Sequence, residues 1–249
     1  MDLGLKDRVA LVMGASSGMG KAVAAGLIAE GARVAIASSS PERIAKAAAE
    51  LGATAFVADA NDREAMTALI DEVQLQLGPI EILITNTGGP PPNGDPLEMT
   101  PAQWEAAYRT LVMAPMALIE RVVPGMKERG FGRIVNVSST SVREPIPNLM
   151  LSNVHRSAAL AAFKTVARDL APHGITVNTV LPGRIATDRL GQLYGSLDNA
   201  QEVAAGEIPA GRLGTPQEYA AMVVFLCSDQ AAYVTGTAPR VDGGLTRSV

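Results

Sequence analysis

The feature that most limits how this chain can fold is its alternation of short, wholly apolar runs with longer helical stretches. Val9-Ala10-Leu11-Val12-Met13 contains no polar residue, as expected of a strand covered by helices on both faces. Gly14 to Gly20 is a glycine-rich turn. A helical stretch follows from about 21 to 30, and Gly31 suits its C-terminal cap. The unit then recurs. Further strands are predicted at 33–37, 54–57, 80–84, 133–137 and 175–180, with a short last one at 239–241. Helices are predicted from Pro41, which suits a first turn, and over 63–77, 101–129, 151–171 and 216–228. Pro115 predicts a bend in the 101–129 helix, because proline removes an interior hydrogen bond. Strands separated by helices, without a long linker, call for one α/β domain over 1–249: a doubly wound parallel sheet with helices on both faces.

Composition agrees with one large core. Of 249 residues, 47% are hydrophobic and 18% charged, which excludes a disordered chain. The net charge of -4 leaves no basic field for a phosphate polymer, so no nucleic-acid partner is expected. The lone Cys227 excludes a disulfide framework and a multi-cysteine zinc site. His155 and His173 are the only histidines and lie far apart, so no metal site is expected. The start lacks the apolar run of a secretion signal, and apolar runs such as 222–227 fall far short of the ~20 residues that span a membrane. The expectation is a soluble, cytoplasmic protein.

Gly14-Ala15-Ser16-Ser17-Gly18-Met19-Gly20 joins the first strand to the first helix. Small residues there let backbone approach a pyrophosphate while helix N–H groups face its charge; glycine turns also join strands to helices for steric reasons alone. The spacing G-x-x-x-G-x-G, Asp59 after the third strand and Asn86-Thr87-Gly88 after the fourth resemble the short-chain dehydrogenase/reductase family. Gly132-Arg133-Ile134-Val135-Asn136-Val137-Ser138-Ser139, Pro182-Gly183 with Thr187, and Val241-Asp242-Gly243-Gly244 continue the match along nearly the whole chain. The resemblance implies a seven-stranded, single-domain Rossmann-type fold and homodimers or homotetramers built on the helices at about 101–129 and 151–171. It also implies a substrate lid at about 187–212.

For cofactor binding, the resemblance implies that Gly14, Ser16, Ser17, Met19 and Gly20 line the pyrophosphate and that Asp59 and Ala60 edge the adenine. Asn86 and Gly88 would flank the ribose next to the nicotinamide, and Pro182, Gly183, Ile185 and Thr187 would hold the carboxamide side. Met13 departs from the family's usual threonine. At the end of the second strand, an acid would bond ribose hydroxyls and repel a 2′-phosphate. This chain has Ser38-Ser39-Ser40, with Arg43 and Lys21 nearby. Hydroxyls and cations suit a phosphate, favouring NADP over NAD, unless the serines only cap the next helix.

The departure from the family lies at its catalytic residues. The family uses a tyrosine as proton donor, a lysine four residues later, a serine thirteen residues earlier and an asparagine on the preceding long helix. Ungapped register places the serine on Ser139, the tyrosine position on Ser152, the lysine position on Arg156 and the asparagine position on Leu111. Spacing four puts Ser152 and Arg156 on one helix face. Arg156 stays cationic and can bond ribose hydroxyls, whereas a serine is a far weaker acid than a phenol of reference pKa ~10, so Ser152 cannot simply replace the tyrosine and is expected to position a water or the substrate.

Other donors are His155, which points about 100° away on the helix, and Tyr194 in the lid; Tyr108 and Cys227 read as packing. The proline loops 90–94 and 145–147 stiffen the surroundings, with Arg143 and Glu144 close to Ser139 in sequence. Two functions follow: an NADP-dependent oxidoreductase acting on a small alcohol or carbonyl, or a dinucleotide-binding sensor or assembly partner without redox turnover. A nicotinamide enzyme with chemistry other than carbonyl reduction also stays open.

Overall fold

In the computed structural model, residues 1–92 and 95–249 are described; Asn93 and Gly94, the end of one proline loop, lie outside them. The first strand, β1 (Val9–Met13), sets the layering. Val9, Leu11 and Met13 enter one core with Met66, Ile70 and Val73 of α3 (Arg63–Leu77), while Ala10 and Val12 enter a second with Val23 and Leu27 of α1 (Gly18–Ala29). A strand feeding two cores has no polar face, which is why its sequence is an unbroken apolar run.

The other strands are β2 (Arg33–Ser38), β3 (Thr54–Val57), β4 (Ile82–Thr85), β5 (Gly132–Val137), β6 (Ile175–Pro182) and β7 (Arg240–Val241). Among the described residues they form a seven-stranded sheet in the order β3-β2-β1-β4-β5-β6-β7, paired in parallel throughout. The helices α2 (Pro41–Leu51), α6 (Met150–Leu170) and α9 (Pro216–Cys227) complete the two layers. Strand order reverses at β1, whose neighbours are β2 and β4. Crossovers there leave in opposite directions and open a crevice at the carboxyl ends of the strands.

The predicted 101–129 helix is three pieces: α4 (Pro101–Tyr108), a π-helical turn at Arg109–Met113, and α5 (Ala114–Arg129). The distortion precedes Pro115, which is the second residue of α5. The wider turn absorbs the missing N–H: the Ala114 N–H reaches back to Arg109 O, as π-bulges do. Pro124 sits inside α5 without ending it. The stretch 187–212 contains two helices the sequence pattern did not reveal, α7 (Asp188–Tyr194) and α8 (Leu197–Glu207). They close a small core of Ala200, Ala204, Ile208 and Leu213, against which Leu190 and Tyr194 pack. Among the described residues, no helix is long and apolar enough to cross a membrane, and no three His, Cys, Asp or Glu side chains group as metal ligands.

Candidate active site

The crevice is a cleft of about 1020 Å³. Its floor at the end of β1 is the glycine turn. Gly14 and Gly18 have φ of +58° and +56°, a region that strains any residue with a Cβ. A Cβ on Gly14 would lie 2.6 Å from Asn86 O, and one on Gly20 would lie 2.3 Å from Gly14 O. The backbone itself therefore faces the cleft. Ser17 caps α1 without a side-chain bond, and the first turn of α1 carries no acid, so the helix N–H groups remain free for an anion. This bare cradle fits a dinucleotide pyrophosphate. Ser16, Ser17 and Met19 line it; Gly20 does not reach the cleft and serves close packing instead.

At the end of the cleft beside β2, Ser38 and Ser39 line it together with Arg43. Ser38 Oγ is buried with no hydrogen-bond partner, and Arg43 Nη2 donates to Ser16 Oγ at 3.3 Å. Ser40 lies outside the cleft lining because it caps α2, accepting from Arg43 N at 3.4 Å. Lys21 is also away from the cleft, paired with Glu50. Asp59 and Ala60 line the same end; Asp59 Oδ1 accepts two bonds from Asn61 at 3.0 Å. Asn86 Nδ2 donates to Gly14 O at 3.1 Å, so Asn86 braces the glycine turn, with Gly88 exposed to the cleft beside it.

At the other end, Ser139, Ser152 and Arg156 all line the cleft. Ser139 follows β5 and its Oγ accepts from Ser141 N at 3.1 Å. Arg156, one helical turn beyond Ser152 on α6, donates from Nε to Ser152 Oγ at 3.1 Å and from Nη1 to Val137 O at 3.1 Å and Ser138 O at 3.4 Å. Burial, then the neighbouring Arg189, pushes the Arg156 guanidinium down to about 10, so it is cationic at neutral pH. Pro182 ends β6 and Gly183 follows it, where a Cβ would lie 2.7 Å from Asp242 Cβ. Ile185 and Thr187 follow; Thr187 caps α7, accepting from Leu190 N at 3.4 Å.

Residues 14–246 match the family profile described as enoyl-(acyl carrier protein) reductase. The chain is 36% identical over 241 residues to the acetoacetyl-CoA reductase of Shinella zoogloeoides, covering 96% of this chain and 98% of that one. It belongs to the short-chain dehydrogenase/reductase family. It is also 32% identical over 261 residues to the NADPH-dependent reductase BacG of Bacillus subtilis, covering 98% of this chain and all of that one. An NADPH-bound short-chain oxidoreductase of Pseudomonas aeruginosa, described as containing an atypical catalytic centre, superposes with a TM-score of 0.92 at 29% identity, over 99% of each chain.

Within this family member, the other donors weighed from sequence fall in different places. His155 faces away from the cleft: its Nδ1 is 2.7 Å from Leu151 O, and its ring lies 5.4 Å from Trp104 and 6.4 Å from Tyr108. Tyr194 does line the cleft, with the Arg184 guanidinium 5.5 Å over its ring. Leu111 is buried in the π-turn, and Thr110 lines the cleft in its place. Glu144 lines the cleft, but its carboxylate accepts from Arg247 N and Ser248 N at 2.6 Å, which ties the C-terminus to this wall and holds the carboxyl below its usual range. Arg189 and the fully buried Tyr219, which lies near Arg156, were missed from sequence; their chain positions carry no motif that signals the approach.

Proposed function

We propose that this chain is an NADPH-dependent reductase of a small carbonyl compound, in which Ser152 and Arg156 stand at the family's tyrosine and lysine positions. The observation that carries this reading is the bond chain at the cleft wall, Arg156 Nε to Ser152 Oγ at 3.1 Å beside Ser139. Each serine oxygen already accepts an N–H, so each hydroxyl hydrogen is left to donate. Two donors converging on a substrate oxygen stabilise the charge that develops there.

NADPH, when bound, would supply the hydride for the carbonyl carbon. Proton delivery would run through a water positioned at Ser152, whose Oγ would pass a hydrogen to the substrate oxygen as it takes one from that water, with the Arg156 cation beside it stabilising negative charge on Oγ. Gly14, Ser16, Ser17 and Met19 would hold the pyrophosphate, Asp59 and Ala60 the adenine, and Asn86 and Gly88 the nicotinamide ribose, which the remaining N–H of Arg156 Nη2 would border. Pro182, Gly183, Ile185 and Thr187 would hold the carboxamide. The 2′-phosphate would meet Ser38, Ser39 and Arg43. NADPH is favoured by that uncompensated cation and by the named cofactor of BacG and of the Pseudomonas oxidoreductase structure.

The α7–α8 segment would act as the lid of this one domain. Assembly through the outer faces of α4, α5 and α6, where Tyr108 and Val154 are exposed, belongs to the same proposal, as does a reducing, cytoplasmic setting for the buried Cys227 thiol.

The test follows NADPH oxidation against a panel of aldehydes and ketones, then repeats it with Ser139→Ala. Loss of one donor should lower kcat about 10²–10³-fold while NADPH affinity holds. An unchanged kcat rejects the role of Ser139. Tight NADPH binding with no oxidation by any carbonyl rejects the reductase in favour of a dinucleotide-binding protein without turnover.

A further inference from the structure

We propose that Arg156 and Arg189 together seat a substrate carboxylate one or two carbons from the reacting carbonyl; the proposal deepens, and rests on, the reductase reading above. The two guanidinium groups meet at Gly89. A Cβ there would lie 2.9 Å from Arg189 Nη2 and 3.3 Å from Arg156 Nη2. Arg189 reaches this point from the start of α7 and is fixed by Gly89 O on Nη1 and Pro90 O on Nη2, each at 3.0 Å. Arg156 comes from α6, held through Nε and Nη1. Its Nη2 has no hydrogen-bond partner among the described residues and faces the cleft.

Two adjacent cations repel; Arg156 is half-buried, which adds a desolvation cost, whereas Arg189 stays exposed at the cleft mouth. Burial lowers the pKa of both, and Arg189 lowers that of Arg156 further. Among the described residues neither guanidinium has a carboxylate within ion-pair distance. The acids of the cleft do not supply one: Glu144 is spent on the C-terminal backbone, Asp59 accepts from Asn61 at the adenosine end, and Asp188 is exposed beside Arg189 without pairing to it. A planar carboxylate laid against the two forks would neutralise them with charge-assisted bonds.

Position favours a substrate anion over a cofactor phosphate. The bare phosphate cradle lies at the end of β1, whereas Arg156 is anchored on Val137 and Ser138 at the end of β5, with β4 between. The same guanidinium touches the Ser152 hydroxyl through Nε. An anion on Nη2 is therefore a close neighbour of any oxygen bonded to Ser152.

The test compares 2-oxobutanoate with its methyl ester in the wild type and in Arg189→Gln. With NADPH, the acid-over-ester ratio of kcat/KM should fall about tenfold or more in the variant, the loss expected for one charge-assisted bond. Calorimetry with the NADP⁺-loaded protein, which has no hydride to give, should show the acid binding, the ester not, and the variant losing the difference. NADPH affinity, measured alone, reads the cofactor source. A ratio that does not move, or an Arg189→Gln loss that appears in NADPH binding instead, overturns the seat while leaving the reductase standing. Arg189-dependent binding of 2-oxobutanoate with no NADPH oxidation by any carbonyl overturns the reductase while leaving the seat.

Discussion

Replacing Arg43 with alanine removes the cation that lines the β2 end of the cleft, proposed above to take the adenosine 2′-phosphate; Lys21 lies away from it on Glu50, and Ser38 Oγ has no partner among the described residues. The size of the effect follows from its surroundings. Arg43 is exposed, so its attraction to a phosphate at 4 Å lies between about 1 kcal/mol in water and about 4 kcal/mol at an effective dielectric of 20. A hydrogen bond to a charged group contributes about 1.5–3 kcal/mol, within that window. NADPH should therefore bind roughly 10- to 150-fold more weakly to Arg43→Ala. The variant also loses the 3.3 Å bond to Ser16, a neutral acceptor; that loss affects NADPH and NADH alike and cancels in their ratio. Calorimetric Kd values for both dinucleotides at one fixed ionic strength give the ratio, and raising the salt should shrink the effect, because exposed charges are screened. An equal loss for NADH and NADPH would refute the assignment, since only one of them carries the 2′-phosphate.

Gly14→Ala should destabilise far more than Gly52→Ala. Both have positive φ, costing ~1–2 kcal/mol, but Gly52 has open space around it while Gly14 meets Asn86, adding ~1–3 kcal/mol. Thermal melts should rank them so, and equal losses would mean the turn has room. Glu218 caps α9, bonding Thr215 N, and is forked to Arg212 at 2.6 and 2.9 Å; Arg212 and then the Thr215 N–H hold its carboxyl at about 2 instead of 4.5. Its stabilising effect is therefore present above pH 4.5 and lost as pH falls toward 2. The Tm gap between wild type and Glu218→Gln should narrow over that window; a constant gap counts against the pair. His155→Phe should keep NADPH oxidation within about threefold, because the ring packs on Trp104 outside the cleft; a loss near that of Ser139→Ala would return His155 to the list of donors.

The strands were legible because buried parallel strands leave unbroken apolar runs, and the glycine turn because backbone at positive φ beside Asn86 admits no side chain. The helix predicted over 101–129 was harder. A proline signals a lost N–H but not where the chain absorbs it, and here the π-turn lies ahead of Pro115 while Pro124 passes unmarked. The helices α7 and α8 escaped because their short apolar faces pack on each other and not on the sheet. Lys21 was placed near the cofactor on sequence distance alone; its partner Glu50, at the end of α2, is visible only in three dimensions. Arg189 was hidden for the same reason. Its meeting with Arg156 depends on the missing side chain of Gly89, a third segment between them in space and remote from both in sequence.

If Ser152 and Arg156 stand at the family's tyrosine and lysine positions, as proposed, the exchange of a phenol and an amine has a geometric consequence as well as an acid–base one. A serine hydroxyl stays close to the helix that bears it, so the volume a tyrosine ring would fill is open to the cleft. A lysine would place one point charge beneath the ribose, whereas the arginine fork divides its work. Its Nε is committed to Ser152 and its Nη1 to the carbonyls at the end of β5, leaving Nη2 on the border of the opened space. On the proposed reading, losing the stronger acid and gaining the anion seat would be two results of one substitution pattern. The proton would then come through a weaker hydroxyl, and a substrate carboxylate drawn toward Nη2 would offer the positioning that offsets it, because holding the carbonyl oxygen against hydroxyl donors lowers the barrier without a lower pKa. On this account a carbonyl compound with no anion to engage Arg189 is turned over slowly for want of alignment and not for want of an acid.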